Sequence, residues 1–276
     1  MIGFDFDYYR PSSIEEAVSV YQRLEGQGRH PVYLSGSTEF ITFARVGLMC
    51  SGAVIDLKGI PECRMLAAGE REMTFGAALT LSELDDSKAF PLLGDTGAGI
   101  ADRTSRNKIT LGGNVCSRLI YKEAVLPLLL TDSDVVVAGS SGIRRVPISR
   151  LFDREMRLGR GEFLVQFIVG SSYRSLPYAS VKKRKASAID YPVVTVTALA
   201  APQGVRYAFS GLCAFPFRSE AVERALNERG LPPEERIRLA AGMLPEPILS
   251  DVKASADYRE LVWRLTLTDV MEALES

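Results

Sequence analysis

The sequence predicts mixed helices and strands, with an α+β arrangement in its C-terminal part, on three observations. Over the first 170 residues, helical and strand-like patterns alternate. After them come three strand-like runs followed by helical stretches, and strands followed by helices mark an α+β domain. The third observation is bulk: 276 residues at 46% hydrophobic composition suffice for two domains, or one large one, with a real core, which excludes a disordered chain.

A first helix begins near Ile14. Ser12 with Glu15, or Ser13 with Glu16, has capping-box spacing, and Ile14, Ala17, Val18, Tyr21 and Leu24 follow at helical period. Gly26 and Gly28 end it, and residues 31–34 read as a short strand. Next comes the small-residue loop Ser35-Gly36-Ser37-Thr38-Glu39, then a helical run over residues 40–46. A strand, such a loop and a helix start bring unpaired N–H groups and the positive end of a helix dipole to one point, a possible anion cradle. An N-cap by Ser37 or Thr38 is compatible with that reading. Residues 54–57 and 73–78 read as strands, and Leu81 to Leu84 start a helix.

The most distinctive stretch is Ser105-Arg106-Asn107-Lys108-Ile109-Thr110-Leu111-Gly112-Gly113-Asn114-Val115-Cys116. Its adjacent glycines let the backbone take positive φ and approach another molecule closely, because no Cβ stands in the way. Such a loop turns successive N–H groups toward an anion. The same pattern fits a tight turn between strands; the loop at 35–39 weighs toward binding. Neither Gly-x-Gly-x-x-Gly after a strand nor a P-loop occurs, since Gly97-Ala98-Gly99 is followed by Asp102 where a third glycine is needed.

Residues 121–130 read as a helix with a core stripe of Val125, Leu128 and Leu129, and residues 135–138 and 143–146 as a hairpin around Gly139 to Gly142. Residues 163–169 form a strand that closes the first half, and composition puts a boundary near residues 170–172. Beyond it lie strands at 178–182, 193–199 and 205–210, then helices at 219–228, 234–243 and 258–274. The run Lys182-Lys183-Arg184-Lys185 reads as a solvated face, or as a site for a phosphate or a partner chain.

Composition narrows the function. Lys plus Arg (33) balance Asp plus Glu (34), so a nucleic-acid partner is disfavoured. The N-terminus lacks a signal-peptide pattern and no apolar run approaches the roughly 18 residues of a membrane span, which predicts a cytoplasmic protein. Cys50, Cys63, Cys116 and Cys213 are widely spaced, arguing for buried thiols and against a zinc or iron–sulfur site. His30 is the only histidine and reads as a turn residue beside Pro31. No catalytic side chain and no metal ligand is named.

With both loops in view, nearly the whole chain resembles the FAD-binding subunit of molybdenum hydroxylases, the group containing xanthine dehydrogenase and the medium subunit of carbon monoxide dehydrogenase. Arg106 to Asn114 looks like that family's Arg-Asn-x-x-Thr-Ile/Leu-Gly-Gly-Asn loop, and residues 35–39 are similar to its Gly-Gly-Thr-Asp or Gly-Asn-Thr-Glu loop. The Tyr8 to Ala17 opening, Asp56 to Glu62 and Ser250 to Arg259 also fit in order and spacing. The resemblance implies a vanillyl-alcohol-oxidase-type FAD-binding domain of two α+β subdomains (residues 1–170, divided near 58), then a small domain (171–276) with a three-stranded antiparallel sheet and helices. It implies that Tyr33, Leu34, Ser35, Gly36, Ser37, Thr38, Glu39, Phe40, Thr110, Leu111, Gly112, Gly113 and Asn114 bind FAD, the two loops holding its diphosphate. Ile100 would lie near the flavin ring, Leu164 would supply a backbone contact, and Glu123 and Lys182 would join the site.

Some positions depart from the family pattern. Ser37 replaces a common glycine, tolerable at negative φ; Glu123 stands for aspartate; residues 116–121 differ from a small-residue continuation; Ser180 occupies a common lysine position, with Lys182 and Lys183 close by. The implied function is electron transfer in a complex. A molybdenum-cofactor subunit would hydroxylate substrate and a [2Fe-2S] subunit would relay electrons, which pass by way of FAD to NAD or another acceptor. Xanthine dehydrogenase in purine breakdown is the nearest class, with nicotinate, aldehyde or carbon monoxide oxidation as alternatives. A stand-alone flavin oxidase and an assembly subunit without FAD are the rivals.

Overall fold

The computed structural model describes residues 2–187 and 189–275. Strands β1 (Asp7–Tyr9), β2 (Val32–Leu34) and β3 (Ala53–Asp56) form a parallel sheet in the order β1-β3-β2. Parallel neighbours need crossovers. Helix α1 (Ile14–Gly26) connects β1 to β2, and α2 (Thr38–Arg45) connects β2 to β3. The start of α1 follows its sequence logic: Ser13 Oγ accepts the Glu16 N–H at 3.1 Å, and the Glu16 carboxylate accepts from Ser12 N and Oγ. Its buried residues Ile14, Ala17 and Leu24 share a cluster with Ile55, Phe163 and Val165.

A larger antiparallel sheet follows, built from β4 (Leu66–Ala68), β5 (Glu72–Gly76), β6 (Asp134–Gly139) and β7 (Gly142–Pro147). After a short hairpin of β8 (Phe152–Asp153) and β9 (Glu155–Met156), β10 (Phe163–Gly170) inserts between β5 and β6, giving the order β4-β5-β10-β6-β7. Against it lie α3 (Leu81–Ser87), α4 (Pro91–Ala98), α6 (Leu111–Val115), α7 (Val125–Leu130) and α8 (Ile148–Leu151), with α5 (Arg103–Arg106), which buries no residue, beside α3. The helix expected over 121–130 begins only at Val125. Residues 121–123 are held outside it, because Asn114 Oδ1 accepts the Ala124 N–H at 3.1 Å and Glu123 is drawn to the C-terminal sheet.

That sheet is antiparallel: β11 (Tyr178–Arg184), β12 (Pro192–Ala201), β13 (Gly204–Ser210) and β14 (Phe217–Arg218). The three expected strands are present and a two-residue fourth is added. Helices α9 (Glu220–Leu226), α10 (Pro233–Ala241) and α11 (Ala256–Glu275) complete the chain. Eight of the ten residues of β12 read as near-continuously apolar or small, and the strand is buried along its length because α11 and α7 both contact it.

The charge run on β11 resolves by strand period. Lys183 and Lys185 are exposed, whereas Lys182 and Arg184 are not, so a purely solvated face does not describe it. Lys182 pairs with Glu123 at 2.7 Å with side chains 9% and 3% exposed, and Glu123 also accepts from Thr195 Oγ1 at 3.1 Å. Burial pulls the Lys182 ammonium below the usual lysine range, and the Glu123 carboxylate opposes that shift. Two arginines add a second clamp: Arg206 and Arg218 reach Asp132 and the carbonyls of Leu130 and Leu129 at the end of α7. Of the thiols, Cys63 and Cys213 are buried as expected and Cys50 is exposed; Cys116 is exposed as a residue, yet burial pushes its thiol up to about 12. No helix among the described residues is long and apolar enough to cross a membrane.

Removing one partner of a buried pair leaves an uncompensated charge. Glu123→Gln is expected to lower the unfolding free energy by about 3–5 kcal/mol in urea denaturation, and Glu123→Leu with Lys182→Met to recover most of the loss. A Glu123→Gln protein as stable as the parent would show that the pair does not fasten the two parts.

Candidate functional site

β2 delivers the chain to Ser35, Gly36 and Ser37, and α2 carries it away. Gly36 is the point of contact with the second glycine segment. A Cβ there would overlap the Lys108 carbonyl oxygen and lie 3.1 Å from both the Lys108 carbonyl carbon and the Thr110 nitrogen. Ser37 takes φ 63° and ψ −1°, the left-handed region, so the condition under which serine replaces glycine without strain, a negative φ, is not met. It is the N-cap by position, yet its hydroxyl caps nothing. The N–H groups of Gly36, Ser37, Thr38, Glu39 and Phe40 consequently have no acceptor among the described residues. They gather at the positive end of the α2 dipole around a left-handed residue, an arrangement that receives anions.

Neighbouring side chains hold this loop in place. Lys58 Nζ donates to the Ser35 carbonyl and to both Asp56 oxygens, each at 2.8 Å. Burial opposes ionisation of Asp56, but hydrogen bonds from Lys58 and Tyr8 outweigh it and hold the carboxyl below its usual range. Leu34 is half-buried and Thr38 exposed. The Glu39 carboxylate accepts the Arg118 N–H at 3.0 Å and the Ser117 hydroxyl, and buried Phe40 meets Phe6 edge-on at 5.8 Å. The Tyr33 ring stacks on Tyr21 at 5.0 Å and lies 4.6 Å from Phe163, with burial raising its hydroxyl pKa. Its side chain belongs to the core, leaving only its backbone near the loop.

The second segment differs from its expected form. Residues 111–115 make a single helical turn, α6, capped by Thr110, whose Oγ1 accepts the Gly113 N–H at 3.2 Å. Neither Gly112 nor Gly113 has positive φ. Gly112 is needed for packing, since a Cβ would sit 2.8 Å from that of Ala77. The N–H groups of Leu111, Gly112 and Asn114 donate to Leu79, Ala77 and Thr110 carbonyls at 2.8–2.9 Å, so with Gly113 capped none of the four faces outward free. The expected row of anion-facing N–H groups is therefore absent from residues 111–114. What this segment offers is bare surface: Gly113 is exposed, and a Cβ there would meet only Thr110 Oγ1.

The remaining expected residues form a second locus. Ile100, 8% exposed, lies in the turn between α4 and α5, where Ala101 has φ 48°. Lys182 Nζ and Arg184 Nη2 donate to the Gly99 carbonyl at 3.0 and 2.8 Å; Arg106 Nη1 donates to those of Ile100 and Ala101 at 3.0 and 2.8 Å. Glu123 is engaged by Lys182 and Thr195. Leu164 is buried on β10 where its register to β6 shifts. Sequence reasoning missed Lys58, Arg106 and Arg184 as parts of the site. A signal existed for Arg184, which shares Lys182's face of β11 by strand alternation. No three His, Cys, Asp or Glu side chains gather to hold a metal among the described residues.

Comparison with known proteins fits this geometry. Residues 4–171 match the family described as the FAD binding domain in molybdopterin dehydrogenase. The nicotine 6-hydroxylase medium subunit of Paenarthrobacter nicotinovorans is 26% identical over 276 residues, covering 96% of each chain. The xanthine dehydrogenase FAD-binding subunit of Escherichia coli O157:H7 is 26% identical over 172 residues, 59% of this chain and 58% of that one. In fold the chain superposes on a chain of carbon monoxide dehydrogenase from Hydrogenophaga pseudoflava with a TM-score of 0.88 at 23% identity, covering 99% and 98% of the two. The chain belongs to the FAD-binding domain family of molybdopterin dehydrogenases, and its cofactor is FAD.

Proposed function

We propose that this chain is the electron-transfer subunit of a multi-subunit molybdenum hydroxylase, receiving electrons from a [2Fe-2S] subunit and passing them to NAD or another acceptor in the cytoplasm. The molybdenum-cofactor subunit hydroxylates the substrate. FAD supplies redox chemistry that couples one-electron carriers to a two-electron acceptor, and the protein binds and orients it. The observation that carries the reading is the row of acceptor-free N–H groups from Gly36 to Phe40, facing an anion's place beside the bare surface of Gly113. FAD fits these residues: the row receives its diphosphate, Gly113 leaves room for it, and Thr110, Leu111, Gly112 and Asn114 form the floor. Ile100 lies near the ring and Leu164 supplies a backbone contact, while Glu123 and Lys182 fasten the FAD-binding region, residues 1–170, to the C-terminal part, 171–276. The family match ending at residue 171 supports that division.

For the partner's substrate we propose an N-heteroaromatic ring, the class that includes xanthine. Relatives named for nicotine and xanthine support the class, and those named for carbon monoxide lie outside it.

The direct test is a visible absorption spectrum of the purified chain after incubation with FAD and desalting, with a retained flavin spectrum expected. No flavin, even with partner subunits present, would favour an assembly subunit. Turnover of a reduced organic substrate by the chain alone would favour a stand-alone oxidase. Gly113→Val fills the bare surface of the turn and is expected to lose FAD affinity by at least about tenfold; its Cβ also comes within 2.8 Å of Thr110 Oγ1, so a stability loss of about 1 kcal/mol from the disturbed α6 cap is expected alongside, and a folded variant with unchanged affinity would move the diphosphate elsewhere. Ser37→Gly removes a left-handed strain of about 1–2 kcal/mol at some cost in chain entropy, so it should keep FAD and gain up to about 1 kcal/mol in stability. A loss of both would assign the serine hydroxyl a contact of its own.

A further inference from the structure

The turn at Gly99, Ile100 and Ala101 is wrapped by positive charge. All three of its carbonyls accept hydrogen bonds from cations: Gly99 from Lys182 and Arg184, Ile100 and Ala101 from Arg106. Lys182 is neutralised by Glu123 at 2.7 Å. The other two are not neutralised in this way.

Among the described residues, the arginines that are not solvent-exposed are Arg29, Arg64, Arg106, Arg144, Arg184, Arg206, Arg218, Arg236, Arg259 and Arg264. Eight of these have a carboxylate oxygen within 4.0 Å; Arg106 and Arg184 have none. In each of the two, Nε is buried without an acceptor. The same is true of Nε in Arg236 and Arg259, but those guanidiniums are ion-paired with Glu275 and Asp251. Half-buried charge without a counter-charge is costly, and part of it is repaid here by the end of α4, whose last carbonyls attract cations. The Asp102 carboxyl, held low by the Ser105 N–H and also by the charge of Arg106, offsets part of that arginine from beyond ion-pair distance, and a helix end carries about half a unit of negative charge, so the two guanidiniums together keep a net positive charge.

We propose that Arg106 and Arg184 are redox-tuning residues: from the Ile100 turn they supply the positive charge that favours the reduced flavin and raises its potential. The inference rests on the placement of the flavin ring near Ile100 in the function proposed above. Two-electron reduction with uptake of one proton leaves the ring with one more negative charge than before. Charge fixed by hydrogen bonds to a turn, in a site shielded from water, acts on that difference without having to reorganise. Because the arginines are anchored to backbone carbonyls, they also position the turn, and the test must separate the two roles.

The experiment is a potentiometric titration of the FAD-loaded protein, or of the assembled complex, for the parent, Arg106→Gln, Arg184→Gln, Arg184→Lys and the exposed control Arg224→Gln. Each glutamine variant of the pair is expected to shift the reduced-to-oxidised ratio about tenfold toward the oxidised form, about 30 mV for a two-electron couple. Arg184→Lys and Arg224→Gln should stay near the parent. If Arg184→Gln loses FAD while Arg184→Lys keeps both FAD and potential, charge at the ring is again supported. Unchanged potentials in FAD-loaded Arg106→Gln and Arg184→Gln overturn the inference and leave the function intact, as does equal loss of FAD from Arg184→Lys and Arg184→Gln, which assigns the arginines to holding the turn. A parent chain that binds no FAD overturns the function and this inference together.

Discussion

The site depends on a missing atom. Gly36 lies so close to the Lys108 carbonyl and the Thr110 nitrogen that no side chain fits between the two segments. That contact ties the second crossover of the parallel sheet, from β2 into α2, to the helical turn packed on Ala77 beside the antiparallel sheet. Each segment is separately anchored: Lys58 and Asp56 hold Ser35 on one side, and Leu79, Ala77 and the Thr110 cap hold residues 111–114 on the other. The approach fixes where the free N–H groups end up.

Two similar-looking glycine motifs then take different work. The first keeps its N–H groups unpartnered at the start of α2, and the left-handed Ser37 is the conformational cost of presenting them. The second uses its N–H groups to attach itself to the protein and contributes a surface without side chains. Away from the loops, charge does the joining. The Glu123–Lys182 pair and the Asp132–Arg206–Arg218 cluster bind the C-terminal sheet to the chain around α7, and the cations of β11 reach the end of α4.

Most of the long elements were legible in the sequence because their signals are local. The Ser13 cap, the helical spacing after Ile14 and the hairpin glycines at 139 and 142 specify their own structure. The family loops were legible as motifs, yet their chemistry was not, since whether an N–H is free depends on partners far along the chain: Leu79 and Ala77 for the second loop, none for the first. Tertiary pull also shortened the helix expected at 121, where Asn114 and Lys182 claim the residues before Val125. The charge run at 182–185 was ambiguous because a sequence shows alternation without showing which side is buried. The left-handed backbone of Ser37 was not legible, because the sequence carries no record of how tightly Gly36 is pressed on Lys108.

The proposed FAD site stands on the first loop alone supplying free N–H groups to the diphosphate. Amide hydrogen exchange, resolved by residue with and without FAD, tests it most directly. Gly36 to Phe40 are expected to exchange fast in the free protein and slow markedly on binding, while Leu111, Gly112 and Asn114 are already slow and change little. Fast exchange at 111–114 that FAD suppresses, with residues 36–40 unaffected, would contradict it.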